Sequence, residues 1–147
     1  ALLIKFNVND SSLCFINCHL ESGNNSLKER LQNLETIHSS GFNGELESFE
    51  YKFLFGDMNL RLQKLNDLQI RRQLEKHQKM LEIKEKIEAD KVLKDLFETD
   101  EIWELRKSSK TMENYQELEI VFPPTYKYEL GQEKYESKKT PAWYGGL

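Results

Sequence analysis

The chain has 147 residues, of which 38% are hydrophobic and 31% are charged, and its formal net charge is -4 at pH 7. This length suits one ordinary domain, and the composition is typical of a globular protein with a heavily solvated segment. No apolar run approaches the roughly 20 residues that a membrane span requires, and the acidic balance argues against nucleic-acid binding driven by overall charge. The first residues lack a signal peptide's basic start, so we expect a cytoplasmic protein. Because the sequence begins at Ala1 rather than Met, we also expect a fragment or a processed product.

The first 20 residues predict a β-hairpin. Two β-rich runs, Leu2–Phe6 and Leu13–Leu20, flank the turn-forming cluster Val8–Ser12. Along the second run one face turns polar at Asn17 and His19, whereas the other face stays apolar. His19 is then exposed at a strand end, where it can join a site. The alternative is a histidine at the edge of the core, hydrogen-bonded to backbone.

The two cysteines of the second run are predicted to be buried thiols. Cys14 and Cys18 are four residues apart in a strand, so their Cα atoms lie roughly 13 Å apart at about 3.3 Å per residue. A disulfide requires about 4.4 to 6.8 Å. The sequence has no CxxC motif or Cys/His cluster, which argues against a zinc site.

A helix with readable ends follows. Ser26 and Glu29 have the spacing of a capping box, leucines recur at helical spacing from Leu27, and Gly41 stops the pattern. His38 lies near the helix end beside two serines, which predicts a solvated histidine or one that interacts with the helix dipole.

The stretch Phe53–Arg61 is the strongest candidate for chemistry. Its apolar run, Phe53 to Phe55, predicts a buried strand that ends at Gly56. In an extended backbone residues two apart point to the same side, so Asp57 and Asn59 are expected to address one site. A carboxylate can orient or deprotonate a water, and a carboxamide can donate to a phosphate oxygen. The alternative is a strand followed by an ordinary Asp/Asn turn.

Residues 62–98 contain neither Gly nor Pro and are predicted to form one long charged helix. Its last two turns, with Val92, Leu93, Leu96 and Phe97, should dock on the core while its middle stands in water. His77 is expected on the surface. Coiled-coil pairing is the alternative, although no strict heptad survives three repeats.

The C-terminal part combines a predicted strand, Tyr115–Phe122, with a segment in which lysines and tyrosines alternate. Leu118, Ile120 and Phe122 would share one strand face, and two prolines would end the strand. The lysines that follow can hold an anion by charge together with adjacent phenol hydroxyls. The alternative is an ordinary loop with solvated lysines.

Taken in order, four segments resemble the inositol polyphosphate 5-phosphatases of the endonuclease/exonuclease/phosphatase superfamily. They are Phe15–Leu20 (FINCHL), Phe55–Arg61 (FGDMNLR), Glu117–Tyr128 (ELEIVFPPTYKY) and Lys139–Trp143 (KTPAW). The Gly-Asp-x-Asn element is shared across the superfamily, whereas Pro-Thr-Tyr-Lys-Tyr followed by Pro-Ala-Trp is more particular to the 5-phosphatases. The resemblance implies a partial DNase I-like α/β fold, in which two packed β-sheets are flanked by helices.

The resemblance also implies Mg²⁺-dependent hydrolysis of the 5-phosphate from phosphoinositides or inositol polyphosphates. Asp57 would orient or activate the attacking water. Asn59 would hold the scissile phosphate or the developing charge, and His19 would donate a hydrogen bond to a phosphate oxygen.

Three further residues match family positions that contact the neighbouring 4-phosphate. They are Tyr126, Lys127 and Lys139, the last replacing a more usual arginine. The substrate implied is a phosphoinositide or a soluble inositol phosphate, which allows peripheral contact with a membrane surface. A nucleic-acid partner is not expected.

The family pattern continues Pro-x-Trp-Cys-Asp-Arg, whereas this chain reads Pro-Ala-Trp-Tyr-Gly-Gly-Leu over residues 141–147. The family's metal-binding Glu lies upstream of the matched segments, so no metal ligand is assigned here. Residues 1–147 are therefore expected to be an incomplete catalytic domain, inactive alone, that leaves apolar sheet surface exposed. Two alternatives stay open. One is a catalytically dead module that binds phosphoinositides or uses the charged helix to contact a protein partner, and the other is a superfamily nuclease.

Overall fold

The computed structural model describes residues 1–113 and 115–143, which form a mixed α/β structure. In chain order the strands and helices are β1 (Leu2–Val8), β2 (Ser11–His19), α1 (Leu27–Ser40), β3 (Tyr51–Asp57), α2 (Asp67–Glu82), α3 (Lys86–Phe97) and α4 (Ile102–Ser108). The α/β class predicted from the sequence is confirmed. The described residues divide into two compact units, the first formed by 1–59 and 105–118 and the second by 60–104 and 119–143. The departure from the family pattern at 144–147 lies outside the described residues.

The first unit contains a three-stranded sheet in the order β1-β2-β3. Strands β1 and β2 pair antiparallel, as the predicted hairpin requires, and the turn passes through Asn9 with a φ of 52°. Strand β3 pairs parallel to β2, with Leu13 opposite Tyr51 and His19 opposite Asp57. Parallel neighbours need a long crossover connection, and α1 lies in it. The carboxyl ends of β2 and β3 therefore lie at the same edge of the sheet.

The two faces of this sheet differ in exposure. One face is buried through Cys14, Ile16 and Leu54. On the other face the rings of Phe6, Phe15 and Phe53 stack, with centroid separations of 5.5 and 4.7 Å. Large apolar side chains on this face are 44–60% exposed: Leu2, Ile4, Phe6, Val8, Tyr51 and Phe53. The predicted exposed apolar sheet surface is confirmed, whereas the fully buried run Phe53–Phe55 is wrong, because two of its side chains point to this open face.

Helix α1 begins at Leu27 and is followed by Gly41, as predicted. The capping box predicted from Ser26 and Glu29 is wrong, because the Ser26 side chain makes no cap hydrogen bond. With ψ at 27°, Ser26 is not in the extended conformation that directs a cap side chain at the first turn.

Two histidines that were predicted to be solvated are buried instead. His38 is 6% exposed, and its ring nitrogens lie 2.9 Å from the Leu34 carbonyl oxygen and 3.1 Å from the Tyr115 hydroxyl. His77 is 7% exposed, and burial lowers its pKa, partly offset by the charge of Asp90. Both predictions rested on the polar character of histidine and of its neighbours in sequence. Each histidine nevertheless lies on the buried face of its helix.

The single long helix predicted over 62–98 is wrong, because the segment forms two helices. Helix α2 ends at Glu82 and α3 begins at Lys86. Between them Lys84 has a φ of 63°, and a right-handed helix cannot continue through this left-handed backbone conformation. The chain thereby reverses and packs α3 on α2 over buried residues of both helices, namely Ile70, Leu74, Leu93 and Leu96. The predicted docking of the last two turns is confirmed, since Val92, Leu93 and Leu96 are buried. Within the described residues, no helix combines the length and apolar character needed to cross a membrane.

The strand predicted at Tyr115–Phe122 is also wrong, because its described residues form no strand. Of the predicted apolar face, Leu118 is 91% and Phe122 45% exposed, and Ile120 packs against the core of the second unit. In the first unit the alternate residues point inward instead. Tyr115 contacts His38, and Glu117 Oε2 accepts a hydrogen bond from Arg106 at 3.1 Å.

Candidate functional site

The parallel strands β2 and β3 bring His19 and Asp57 together at one edge of the sheet. The two residues are paired in register, and His19 Nε2 lies 3.8 Å from Asp57 Oδ2. The His19 side chain is 75% exposed and that of Asp57 is 35% exposed. A separation of 3.8 Å is too long for a direct hydrogen bond, so a third atom, such as a water oxygen about 2.8 Å from each, can contact both groups. This geometry supports the prediction that the two strand ends share a site.

The orientation of Asp57 is fixed by its neighbours. Its Oδ1 accepts a hydrogen bond from the Asn59 amide nitrogen at 2.9 Å, and its carbonyl oxygen accepts one from the Leu20 amide at 2.9 Å. One carboxylate oxygen is thus used by the backbone, which leaves Oδ2 directed toward His19. A carboxylate held in this way needs little reorganisation before it accepts a proton.

Asn59 is placed differently from the prediction that it shares a side with Asp57. Its φ is 53°, so the backbone leaves the extended conformation on which that prediction rested. The residue is 3% exposed, and its Nδ2 donates to the Leu20 carbonyl oxygen at 2.9 Å. Asn59 therefore links the chain after β3 to the chain after β2. Its predicted contact with phosphate stays a prediction.

Gly56 is a residue whose role the sequence reasoning missed. Its φ is 119°, and a Cβ at this position would lie 2.1 Å from the Cys18 carbonyl oxygen and 2.6 Å from Asn17 Oδ1. A side chain here would push the two strands apart one residue before the pair His19 and Asp57. A glycine inside a strand pattern marks close backbone approach, and that signal was available in the sequence.

Cys18 lies beside this site but is not a nucleophile at neutral pH. The thiol is 2% exposed, and burial raises its pKa to about 11, with the charge of Asp57 acting in the same direction. Cys14, fully buried on the same face, also has a raised pKa because of burial. Both cysteines are free, as predicted.

Labelling with an aromatic disulfide reagent at pH 8 tests this protection of Cys18. Because the thiolate is the reacting form, the folded chain should react roughly a hundredfold more slowly than the urea-unfolded chain. A folded-state pKa above the unfolded one also means that stability is lost as the pH rises from about 9 toward about 11. Equal labelling rates in the folded and unfolded chains would show that the thiol is accessible.

In the second unit the lysine-bearing segment, residues 125–143, is held by backbone pairing. Tyr126 and Ala142 exchange two backbone hydrogen bonds of 3.0 and 3.1 Å. Lys127 Nζ lies 3.1 Å from Glu136 Oε2, and the Glu136 amide donates to the Lys127 carbonyl oxygen at 2.8 Å. The hydrogen bond with Glu136 raises the pKa of Lys127, whose side chain is 52% exposed. Lys127 is therefore a solvent-accessible cation next to one carboxylate.

Lys139 is exposed, and its amide donates to the Glu136 carbonyl oxygen at 3.4 Å. The structure thus brings Lys127 and Lys139 to the same residue, Glu136. Sequence reasoning missed Glu136, because the chain has many acidic residues and the sequence does not show which of them pairs with which lysine.

Two tyrosines of this segment, Tyr128 and Tyr135, form a framework instead of presenting free hydroxyls. The rings of Tyr128 and Tyr135 stack with centroids 4.4 Å apart. The Tyr128 hydroxyl donates to the Tyr135 hydroxyl at 2.9 Å, which in turn donates to the Pro124 carbonyl oxygen at 2.7 Å. Burial raises the pKa of Tyr135. The hydroxyls of Tyr128 and Tyr135 are therefore engaged within the segment, and the anion binding predicted for the segment stays a prediction.

The described residues do not provide a magnesium site on their own. Across residues 1–113 and 115–143, no three His, Cys, Asp or Glu side chains are placed to hold a metal ion together. The pair at the sheet edge offers one carboxylate and one imidazole, whereas Mg²⁺ favours an octahedral set of oxygen ligands. The Mg²⁺ expected from the sequence thus does not fit these residues alone.

The chain matches the family described as Endonuclease/Exonuclease/phosphatase family 2 over residues 1–145. It is 31% identical over 150 residues to inositol-1,4,5-trisphosphate 5-phosphatase 1 of Schizosaccharomyces pombe, a match that covers 97% of this chain and 12% of the relative. It is 33% identical over 153 residues to phosphatidylinositol 3,4,5-trisphosphate 5-phosphatase 2 of Mus musculus, with 98% and 10% covered. The chain therefore spans only about a tenth of the length of these relatives.

Solved structures show the same architecture. The inositol polyphosphate 5-phosphatase domain of SPsynaptojanin, in complex with inositol (1,4)-bisphosphate and calcium ion, matches with a TM-score of 0.80 and 28% identity, covering 98% of this chain and 40% of that chain. The Cimex nitrophorin ferrous NO complex matches with a TM-score of 0.65 and 16% identity, covering 98% and 45%, which shows the fold alone. The predicted DNase I-like fold class is confirmed. The chain belongs to the endonuclease/exonuclease/phosphatase family 2, within which it is similar to the inositol polyphosphate 5-phosphatases.

Proposed function

We propose that the full-length protein containing residues 1–147 hydrolyses the 5-phosphate of phosphoinositides or inositol polyphosphates with the aid of Mg²⁺. The observation that carries this proposal is the pair His19 and Asp57, 3.8 Å apart at a solvent-accessible sheet edge. Relatives whose names state 5-phosphatase activity on an inositol phosphate and on a phosphoinositide support the substrate class. Magnesium would neutralise phosphate charge, with ligands beyond those that the described residues supply.

In this reaction Asp57 Oδ2 accepts a proton from a water whose oxygen attacks phosphorus. The bond between phosphorus and the inositol 5-oxygen breaks, that oxygen takes up a proton from solvent and leaves as the ring hydroxyl, and Asp57 releases its proton to solvent. His19 donates a hydrogen bond from Nε2 to a phosphate oxygen. Asn59 steadies the strand ends through Leu20, and we also assign to its carboxamide the contact with the scissile phosphate or the developing charge.

Recognition of the 4-phosphate is assigned to Tyr126, Lys127 and Lys139. Lys127 is the best-supported of the three, because its side chain is half exposed and its ammonium lies 3.1 Å from the carboxylate of Glu136. A phosphate group bears more charge than a carboxylate, so it can compete with Glu136 for this cation.

Lys127→Ala should reduce kcat/KM on a 4,5-bisphosphorylated substrate by about tenfold, because a charge-assisted contact contributes about 1.5 kcal/mol. On a substrate that lacks the 4-phosphate the loss should be less than about twofold. Phosphate release from the two substrates measures the difference. Lys138→Ala, which removes an exposed lysine of the same segment, is the matched control. An equal loss on both substrates would remove the selectivity role of Lys127.

The proposal is tested by phosphate release from soluble inositol phosphates, phosphoinositide vesicles and abasic DNA. The full-length protein should act on the first or second substrate, with activity lost on chelation of Mg²⁺, and residues 1–147 alone should be inactive. Binding to phosphoinositides without phosphate release would instead indicate a catalytically dead binding module. Cleavage of abasic DNA alone would indicate a nuclease.

We also propose a cytoplasmic protein that makes peripheral contact with membrane surfaces when its substrate is a lipid. Co-sedimentation with vesicles that contain phosphoinositides, compared with vesicles that lack them, tests that contact. The charged helices α2 and α3 are the proposed surface for a protein partner, since most of their residues are exposed.

A further inference from the structure

Arg71 of helix α2 connects that helix to the lysine-bearing segment of the second unit. One terminal nitrogen, Nη2, donates to the carbonyl oxygens of Glu136 at 2.9 Å and Lys139 at 2.7 Å. The guanidinium Nε donates to Asp67 Oδ2 at 2.8 Å. The side chain is 22% exposed, so these bonds are made in a partly desolvated position. Charge-assisted hydrogen bonds of this kind are about twice as strong as neutral ones.

Both carbonyl groups that Arg71 binds belong to residues that place the candidate lysines. Lys139 is itself one of the candidate lysines. Glu136 holds the other, Lys127, by two contacts: the Glu136 amide donates to the Lys127 carbonyl oxygen, and the Glu136 carboxylate contacts Lys127 Nζ. One guanidinium therefore fixes the backbone beside both lysines.

The orientation of Arg71 is set within its own helix. Asp67 stands one turn earlier and binds Nε, which directs the terminal nitrogens toward the segment. The helix start is fixed by a reciprocal capping box between Asn66 and Gln69. The apolar contacts of α2 are made by other residues, Ile70 and Leu74, so the core does not depend on Arg71.

We infer that Arg71 is a positioning residue for recognition of the phosphate next to the scissile one on an inositol ring, whether that ring is free or a lipid headgroup. The inference rests on the proposed function. Arg71 acts through Glu136 and Lys139 and does not touch the substrate. A lysine cannot replace it fully, because a single ammonium lacks the planar fork that serves Asp67 and the two carbonyl oxygens together.

The test compares Arg71→Ala, Arg71→Lys and the control Arg72→Ala in the full-length protein. Arg72 is the neighbouring arginine, exposed on the same helix. Affinities are measured for inositol (1,4)-bisphosphate and inositol 1-phosphate, and for vesicles with and without phosphatidylinositol 4-phosphate. Arg71→Ala should weaken binding of the 4-phosphorylated ligands at least fivefold and leave inositol 1-phosphate within twofold, and Arg71→Lys should fall between Arg71→Ala and the wild type. If Arg71→Ala weakens binding only of the soluble ligand, the segment recognises free inositol phosphates. If it weakens binding only of the vesicles, the segment recognises the lipid headgroup.

Amide hydrogen exchange supplies a readout that does not depend on activity. In Arg71→Ala and, to a smaller extent, Arg71→Lys, exchange at the Glu136 and Lys139 amides should be faster, while Arg72→Ala matches the wild type. Unchanged exchange, or equal affinities of the Arg71 and Arg72 variants in a protein that binds, would overturn the inference alone. A wild-type protein that neither binds nor hydrolyses inositol phosphates would overturn the proposed function and this inference with it. Should Arg71→Ala fail to fold, Arg71→Lys decides the matter by the same measurements.

Discussion

Asp57→Ala in the full-length protein is expected to lower the turnover of 5-phosphate hydrolysis at least about a hundredfold, since a general base typically contributes about 10² to 10⁴ in rate. The change removes Oδ2, which faces His19 at 3.8 Å. The fold should survive, because the hydrogen bond from the Leu20 amide goes to the backbone carbonyl of residue 57 and not to its side chain. Loss of the Asn59 amide's acceptor should cost only about 1 kcal/mol of unfolding free energy.

Phosphate release under saturating substrate measures the turnover, and circular dichroism with thermal unfolding checks the fold. Asp10→Ala is the matched control, because Asp10 is an exposed acid in the hairpin turn of the same unit. This control should keep wild-type turnover. Near-normal phosphate release by a folded Asp57→Ala protein would remove Asp57 from the chemistry.

The strands could be predicted from the sequence because their signal is local. Along Leu13–Leu20 one face is apolar throughout, and the structure buries Cys14, Ile16 and Cys18 on it as that pattern predicts. The other face was also predicted to be buried up to the strand end, but Leu13 and Phe15 are only partly buried. The parallel pairing of β3 with β2 follows from the helix between them. His19 and Asp57 were therefore predictable as neighbours from their positions at two strand ends.

The helical segment was harder, because composition does not show where a helix turns back. Nothing in the charged run around Lys84 marks a reversal, since Lys rarely adopts a positive φ and no Gly or Pro is present. The reversal is favoured by burial of apolar side chains of α2 against α3, which is a tertiary effect. His77 is buried for the same reason.

Within the candidate site, the unpredicted features are those set by backbone conformation. Asn59 was assigned an extended backbone, and its left-handed φ turns the side chain toward the Leu20 carbonyl oxygen. The contact between Lys127 and Glu136 joins residues nine positions apart across an irregular loop, where no periodicity can predict a pairing. Residue types could be read from the sequence, but their partners required the folded chain.

Gly56→Ala is expected to destabilise the first unit by about 3 kcal/mol of unfolding free energy, through backbone strain and overpacking. The φ of 119° disfavours a side chain, and a Cβ would lie 2.1 Å from the Cys18 carbonyl oxygen. That oxygen belongs to a paired strand, so the conflict cannot be relieved by rotating a side chain. Denaturation by urea, followed by circular dichroism, gives the free energy for residues 1–147 and for the full-length protein.

Gly44→Ala separates the two causes of this loss. Gly44 also has a positive φ, 88°, but a Cβ there would meet only the Ser39 carbonyl oxygen at an ordinary 3.5 Å. It should therefore cost about 1 kcal/mol, the conformational part alone. The additional loss of unfolding free energy in Gly56→Ala, compared with Gly44→Ala, reports how closely β2 and β3 approach beside His19 and Asp57. If the two variants lose equal stability, the close approach of the strands does not depend on the absence of a side chain at Gly56. The 3.8 Å separation of His19 and Asp57 must then be set by other contacts.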